Sequence, residues 1–230
     1  MCGRFALTST PQQVRALFGY VEEPNFPPRE QIAPTEPIAV VVQHGRERHF
    51  TLMRWGFLPE WVKDAADFPL LFNARAETAP EKPAFRNAIR RRRCLVPADA
   101  FVEWRREGEG RAVRRDPFVA SRADGAPMAL GGIWETNLGP DGAELDTVAI
   151  LTTDANGTIG AIHERMPVIL EPRDFDAWLD PANDDAARVA HLMRPAPDDV
   201  LVLRAVERTR PVPAPKPRKV VEDDPQGRLF

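Results

Sequence analysis

Apolar residues along this chain recur mostly at every second position or in short unbroken runs, punctuated by Gly, Pro and Asp. That pattern predicts many short strands and few helices. Residues 38–42 are a continuous apolar run, His44-Gly45-Arg46 reads as a turn, and 49–54 is its expected hairpin partner. Further strands are predicted at the opening residues, 70–75, 94–97, 100–105, 117–121, 128–135, 146–153, 168–170 and 200–206, with Ala123-Asp124-Gly125 as a turn. One helix is well marked. Thr10 is a capping residue, Pro11 suits a first turn, Gln13 completes a capping box, and Gly19 ends the apolar face of Val14, Leu17 and Phe18. Shorter helical stretches are predicted at about 83–92, 156–162, 174–179 and 184–193, while the Pro-rich stretch 20–36 and the charged stretch 107–110 read as loop and turn. No internal repeat is visible. The prediction is an α+β fold: a single mostly-β domain over 1–210 with a curved or barrel-like mixed sheet and a few short helices. Residues 211–230, rich in Pro and charge, are expected to be a flexible tail.

Composition narrows the partners. The chain has 230 residues, 43% hydrophobic and 28% charged, as in an ordinary soluble domain with one sizeable core. A net charge of −3 supplies no global pull on nucleic acid, so any polyanion site must be a local patch. Cys2 and Cys94 are too few for a disulfide framework, and together with His163 and His191 they lack metal-ligand spacing. No metal or other cofactor is expected. No window approaches the ~18 apolar residues of a membrane span, and no secretory signal is visible at the start. The expected setting is a reducing cytoplasm, which keeps Cys2 a thiol.

Candidate chemistry begins at Met1-Cys2-Gly3-Arg4-Phe5. Loss of Met1 would leave Cys2 with a thiol and a free α-amine on adjacent carbons, with ordinary pKa values of roughly 8.5 and 7.7–8.0. An amine condenses with an aldehyde to an imine, and the neighbouring thiol can then close a five-membered thiazolidine. The closure is intramolecular and gains from proximity. The competing reading of Cys2 is a small apolar residue opening a strand. Three more polar residues sit inside apolar runs, where burial costs energy unless something there uses them. Asn73 lies in Leu-Leu-Phe-Asn-Ala-Arg, Glu103 in Ala-Phe-Val-Glu-Trp, and His163 in Ile-His-Glu-Arg-Met-Pro. Aromatics around Glu103 disfavour its charged form, which suits general acid–base work. A turn-bonding Asn73, an outward-facing Glu103 and a structural His163 are the plainer alternatives. Arg54, Trp55, Trp61, Arg75 and Arg165 are cations and aromatics able to track a single strand, although Trp55 reads first as core. Arg90 to Arg93 read as charges complementing a helix C-terminus.

Taken together, several ordered motifs resemble the SOS response-associated peptidase (SRAP) family of abasic-site processing proteins. They are Met1-Cys2-Gly3-Arg4-Phe5, Ile32-Ala33-Pro34-Thr35, Arg54-Trp55-Gly56, Asn73-Ala74-Arg75-Ala76-Glu77-Thr78, Arg93-Cys94-Leu95-Val96-Pro97-Ala98-Asp99 with Glu103-Trp104, and Ile162-His163-Glu164-Arg165-Met166-Pro167. The resemblance implies a thiazolidine crosslink between an N-terminal cysteine and the ring-opened sugar of an abasic site in single-stranded DNA, within the DNA-damage response. It implies Cys2, Asn73, Glu103 and His163 as catalytic residues. It implies a DNA surface of Arg4, Pro34, Trp61, Arg75, Thr152 and Arg165, and a monomer that needs no cofactor. Two departures stand out: Glu30-Gln31 where the family often has Tyr-Asn, and Val62 where a second aromatic can follow Trp61. A thiol peptidase, including self-removal of Met1, and a noncatalytic single-strand binding module are the alternative functions.

Overall fold

The computed structural model describes residues 2–65, 68–108, 114–139 and 142–206; the expected tail at 211–230 lies outside the described residues. The strands are β1 (Phe5–Leu7), β2 (Arg29–Ile32), β3 (Pro37–His44), β4 (Glu47–Trp55), β5 (Asn73–Arg75), β6 (Arg93–Ala98), β7 (Ala100–Glu107), β8 (Arg114–Arg122), β9 (Met128–Leu138), β10 (Glu144–Asp154), β11 (Arg165–Pro167), β12 (Ile169–Leu170) and β13 (Leu201–Ala205). The helices are α1 (Pro11–Phe18), α2 (Arg86–Arg91), α3 (Gly157–Gly160) and α4 (Phe175–Leu179), with 3-10 turns between and after them. The mostly-β α+β expectation holds. No helix among the described residues is long and apolar enough to cross a membrane.

Five strands close into a barrel. β3 pairs antiparallel with β4 and β6, β6 with β9, and β9 with β10, while β10 returns parallel to β4 through Thr147–Arg54 and Val148–Trp55. A strand covered on both faces reads as an unbroken apolar run rather than an alternation. This accounts for the buried stretches 38–42 in β3 and 147–153 in β10. A second, open antiparallel sheet runs in the order β13-β8-β7-β1-β2. It joins the barrel where Phe5 meets Trp55 edge-on, with ring centroids 5.2 Å apart.

Local rules set the helices. α1 has the full capping box between Thr10 and Gln13 and ends at Gly19 in the left-handed region, φ 69°. Its buried Phe18 stacks on Phe175 at 5.5 Å. The structure corrects the sequence reading in four places. The expected loop at 20–36 contains β2, whose Ile32 pairs with Phe5; the strand is edge-paired and too polar to show in periodicity. The expected strand 70–75 narrows to Asn73–Arg75, and the helix expected at 83–92 narrows to Arg86–Arg91. The helical stretch at 184–193 is a 3-10 segment, Ala186–Leu192. In the charged turn, residues 109 and 110 lie outside the described residues.

Arg93 is the tie between helices and barrel. It is 4% exposed, and its guanidinium donates to five backbone carbonyls. Ile89 and Arg90 belong to the last turn of α2, while Trp178, Asp180 and Asn183 lie in α4 and the loop after it. The Arg cluster thus does complement a helix end, through one buried member of it. Replacing Arg93 with Met keeps the stem and orphans all five acceptors. Each buried unsatisfied group costs about 1–3 kcal/mol, partly recovered by relaxation, so Arg93→Met is expected to lower the unfolding free energy by about 3–5 kcal/mol. A urea midpoint unchanged at constant m-value would show that the five bonds contribute nothing net.

Candidate active site

β10 is longer than the strand it closes against. β4 stops pairing at Val148, and the edge beyond it is taken over by β5, with Asn73 opposite Ile150 and Arg75 opposite Thr152. On the other edge β11 pairs at the same level, Pro167 opposite Thr152 and Arg165 opposite Asp154. The Trp55 indole N–H donates to the Phe72 carbonyl at 2.8 Å and fixes the approach to β5. β1 brings the N-terminus to this end of the barrel, with Phe5 opposite Phe101 of β7. Asp99 secures the far end of β1, where its carboxylate accepts from the Ser9 N–H and hydroxyl, both at 2.6 Å.

Four of the expected site residues meet there. Cys2 is fully buried, with its thiol 3.8 Å from the Arg4 carbonyl. Burial, and then the nearby negative charge of Glu103, hold the thiol well above its ordinary value, so it is protonated at neutral pH. Asn73 donates its side-chain N–H to the Cys2 carbonyl at 2.9 Å. The Asn73 Oδ1 is buried and accepts no hydrogen bond among the described residues. Glu103 projects from the inner face of β7 at 2% exposure, so the outward-facing alternative fails. Burial raises its carboxyl pKa, and His163 opposes the shift. The His163 Nε2 stands 4.0 Å from Glu103 Oε2. The Arg165 backbone N–H donates to His163 Nδ1 at 3.0 Å. The same Nδ1 lies 3.2 Å from the Arg165 carbonyl oxygen, so the Arg165 backbone holds this edge of the ring and leaves Nε2 on the side of Glu103.

The residues expected on the DNA surface divide by exposure. Arg4 and Arg75 are exposed. Pro34 is half-buried in the turn between β2 and β3. The next residue, Thr35, has φ 80°, an unusual conformation for a β-branched residue. It is held by its N–H to the Trp55 carbonyl at 2.7 Å. Thr152 is fully buried on β10, its hydroxyl directed at the Ala74 carbonyl. Arg165 is 7% exposed. Its guanidinium grips both oxygens of Glu77 (2.9 and 2.8 Å), Asp154 (2.6 Å) and the Thr152 carbonyl (2.6 Å). Trp61 is 60% exposed and edge-on to Phe68. Its loop is pinned by Asn137, which donates to the Pro59 and Val62 carbonyls at 3.0 and 2.8 Å. Asn137 pairs with Leu145, five residues before Ile150. That anchor is about 17 Å along β10 from the Asn73 level. Glu77 and Asp154, which hold Arg165, were not singled out from the sequence. The only available signal was the position of Glu77 inside the Asn73 to Thr78 motif.

The arrangement combines a buried, protonated thiol, a carboxyl biased toward its neutral form, an oriented imidazole and an amide on the N-terminal backbone. Comparison with known proteins agrees with the motifs. The family profile described as SOS response associated peptidase (SRAP) matches residues 1–210. The abasic site processing protein YoqW of Bacillus subtilis (strain 168) is 34% identical over 198 residues, 85% of this chain and 87% of that protein. The abasic site processing protein YedK of Escherichia coli (strain K12) is 31% identical over 185 residues, 78% of this chain and 79% of that protein. A crystal structure of a protein from Bacteroides thetaiotaomicron superposes with a TM-score of 0.81 at 25% identity, covering 90% of this chain and 93% of that one. With the profile spanning barrel, open sheet and every residue of the site, the chain belongs to the SRAP family.

Proposed function

We propose that this protein processes abasic sites in single-stranded DNA by capturing the ring-opened sugar aldehyde as a thiazolidine on Cys2, made N-terminal by loss of Met1. The observation that carries the reading is the convergence on Cys2 of Asn73, which bonds its carbonyl, and of Glu103 with His163 4.0 Å away. The names of the relatives, abasic site processing proteins, support the same substrate.

The chemistry runs in three steps. The Cys2 α-amine adds to the aldehyde carbon and gives a carbinolamine. Loss of one water, its oxygen protonated by the neutral Glu103 carboxyl, leaves the protonated imine. The thiol sulfur then adds to the imine carbon, the C=N electron pair returns to the nitrogen, which keeps its hydrogen, and Glu103, now ionised, accepts the thiol proton. A thiol held protonated by burial needs such a base. A carboxyl whose pKa is raised toward neutrality serves in both directions. His163 assists sugar ring opening and the reverse reaction. The Asn73 amide orients the N-terminus, with its buried Oδ1 as the acceptor for the freed amine. Arg4 and Arg75 are assigned to phosphates, Pro34 and Trp61 to the flanking surface. Thr152 and Arg165 form the floor, where Arg165 reaches a phosphate only by releasing Glu77 or Asp154. The peptidase alternative needs a thiolate, which burial of Cys2 disfavours.

Intact-mass measurement is expected to show the mature chain lacking one methionine. Incubation with abasic single-stranded DNA is expected to give a denaturation-resistant adduct. Cys2→Ser is expected to lose the adduct while still binding undamaged strand. Efficient stable adduct formation by protein with verified Met1 would sink the mechanism.

Glu103→Gln is expected to slow adduct formation by roughly 10²–10⁴ at saturating DNA, leaving affinity for undamaged strand intact. Wild-type rates in the variant across pH would make Glu103 structural. The same substitution has a stability signature. The folded pKa of Glu103 lies above the ordinary value of 4.5, so its stabilising contribution is complete below that value and is lost as pH rises through the folded pKa. Glu103→Gln is therefore expected to gain thermal stability relative to wild type as pH rises, with the gap closing below pH ~4. A gap that widens on acidification would reverse the assigned direction.

A further inference from the structure

The Arg165 side chain leaves β11 and crosses the end of β10 to reach Glu77, on the turn that follows β5. β5 and β11 take opposite edges of β10, each through three paired residues. Both sides are moored on one backbone group. The Thr152 carbonyl accepts from the Ala76 N–H at 2.9 Å and from the Arg165 Nη2 at 2.6 Å. Glu77 meets the guanidinium at two points, Oε1 with Nη1 at 2.9 Å and Oε2 with Nη2 at 2.8 Å. The turn that presents it is itself closed: the Thr78 and Ala79 N–H groups donate to the Arg75 carbonyl at 3.2 and 2.9 Å.

The two carboxylates on Arg165 do different things. Asp154 lies opposite Arg165 in the β10–β11 ladder, so its bond at 2.6 Å joins strands that are already paired. The Glu77 bond joins two segments that share no ladder among the described residues. Partial burial pushes the Glu77 carboxyl pKa up, but its bonds to Arg165 and the charges of Arg165 and Arg75 bring it below the ordinary value, so it is a carboxylate at neutral pH. What the grip steadies is the β11 backbone. The Arg165 N–H donates to His163 Nδ1 at 3.0 Å, and His163 Nε2 stands 4.0 Å from Glu103 Oε2. A continuous chain of contacts thus runs from Glu77 through Arg165 and His163 to Glu103. A strand as short as β11 has little ladder of its own to hold it.

We infer that Glu77 is a positioning residue of the capture reaction: its two-point grip on Arg165 ties the turn after β5 to β11 and so fixes the His163 ring against Glu103. This rests on the reading of Glu103 and His163 as the groups that act on the aldehyde at Cys2. Glu77 itself touches neither of them, and its whole effect on the chemistry passes through His163. Gln at this position keeps the length and one acceptor but loses the charge and the second acceptor. Ala loses both.

The test is a double-mutant cycle on Glu77→Ala and His163→Ala, read as single-turnover adduct formation and reversal at saturating abasic single-stranded DNA. Glu77→Ala is expected to slow the His163-dependent step by up to about 10²-fold, the loss that a misplacement of ~1 Å brings, and Glu77→Gln by less. In the His163→Ala background the same change is expected to cost nothing further. Losses that multiply overturn the inference. A wild-type rate at saturation, with affinity for undamaged strand reduced, overturns it in favour of a role in strand binding. A second readout needs neither DNA nor adduct. In nitrogen-edited NMR spectra of the protein alone, the ring signals of His163 are expected to move in Glu77→Ala while those of His44, His49 and His191 stay in place. His163 signals that do not move overturn the inference, and movement of all four does so by reporting a general loosening. Absence of any adduct in the wild type, alongside a selective shift of His163, counts against the chemistry at Cys2 and for the tie.

Discussion

Two paired residues on each side, Thr147–Arg54 and Val148–Trp55, make the parallel contact that closes the barrel. Because β4 ends there and β10 continues to Asp154, closure leaves two free strand edges at one end of the barrel. Unpaired backbone N–H and C=O groups at a buried edge must find partners. β5 satisfies one edge and β11 the other. Those two short strands carry Asn73 and Arg165, and through Arg165 they orient His163. The meeting of Asn73, His163 and Arg165 at this end is thus a product of how the barrel is closed.

The site is costly to build. A fully buried thiol, a carboxyl at 2% exposure and a buried amide oxygen lacking a donor among the described residues all give up solvation. Thr35 adds a backbone conformation that a β-branched residue rarely adopts. Compensation comes from nearby bonds of the strong, charge-assisted kind. Arg165 holds two carboxylates and a carbonyl with one guanidinium, and Glu77 responds with a carboxyl pKa below its ordinary value despite partial burial. Arg93 does the same for the opposite end of the barrel with five carbonyls. Both buried arginines work as structural cross-ties, in contrast to the exposed Arg4 and Arg75.

Charge is segregated by sheet geometry. Strand alternation on β7 sends Glu103 inward and Arg106 outward. Period-two alternation makes the separation sharp: a shift of one residue in register would exchange the face that carries Glu103 for the one that carries Arg106. The inner and outer chemistries of β7 are consequences of the same pleat.

Much of this was legible in the chain itself. The capping box at Thr10 and Gln13, the stop at Gly19 and the unbroken run 38–42 are local signals, and local structure follows them. Polar residues stranded in apolar runs marked Asn73, Glu103 and His163, because burial of such groups is too expensive to be incidental. What periodicity missed was decided by pairing partners remote in sequence. β2 is polar and becomes a strand only because Phe5 needs Ile32 opposite it. Barrel closure depends on a parallel register between residues about ninety apart, for which a local pattern carries no information. The same holds for Arg165. Its sequence context marks a cation, but only the fold, by setting Glu77 and Asp154 on either side of it, makes it a buried clamp. Which face of β7 receives Cys2 and which stays open is likewise a matter of tertiary packing, since alternation defines two faces and the core chooses between them.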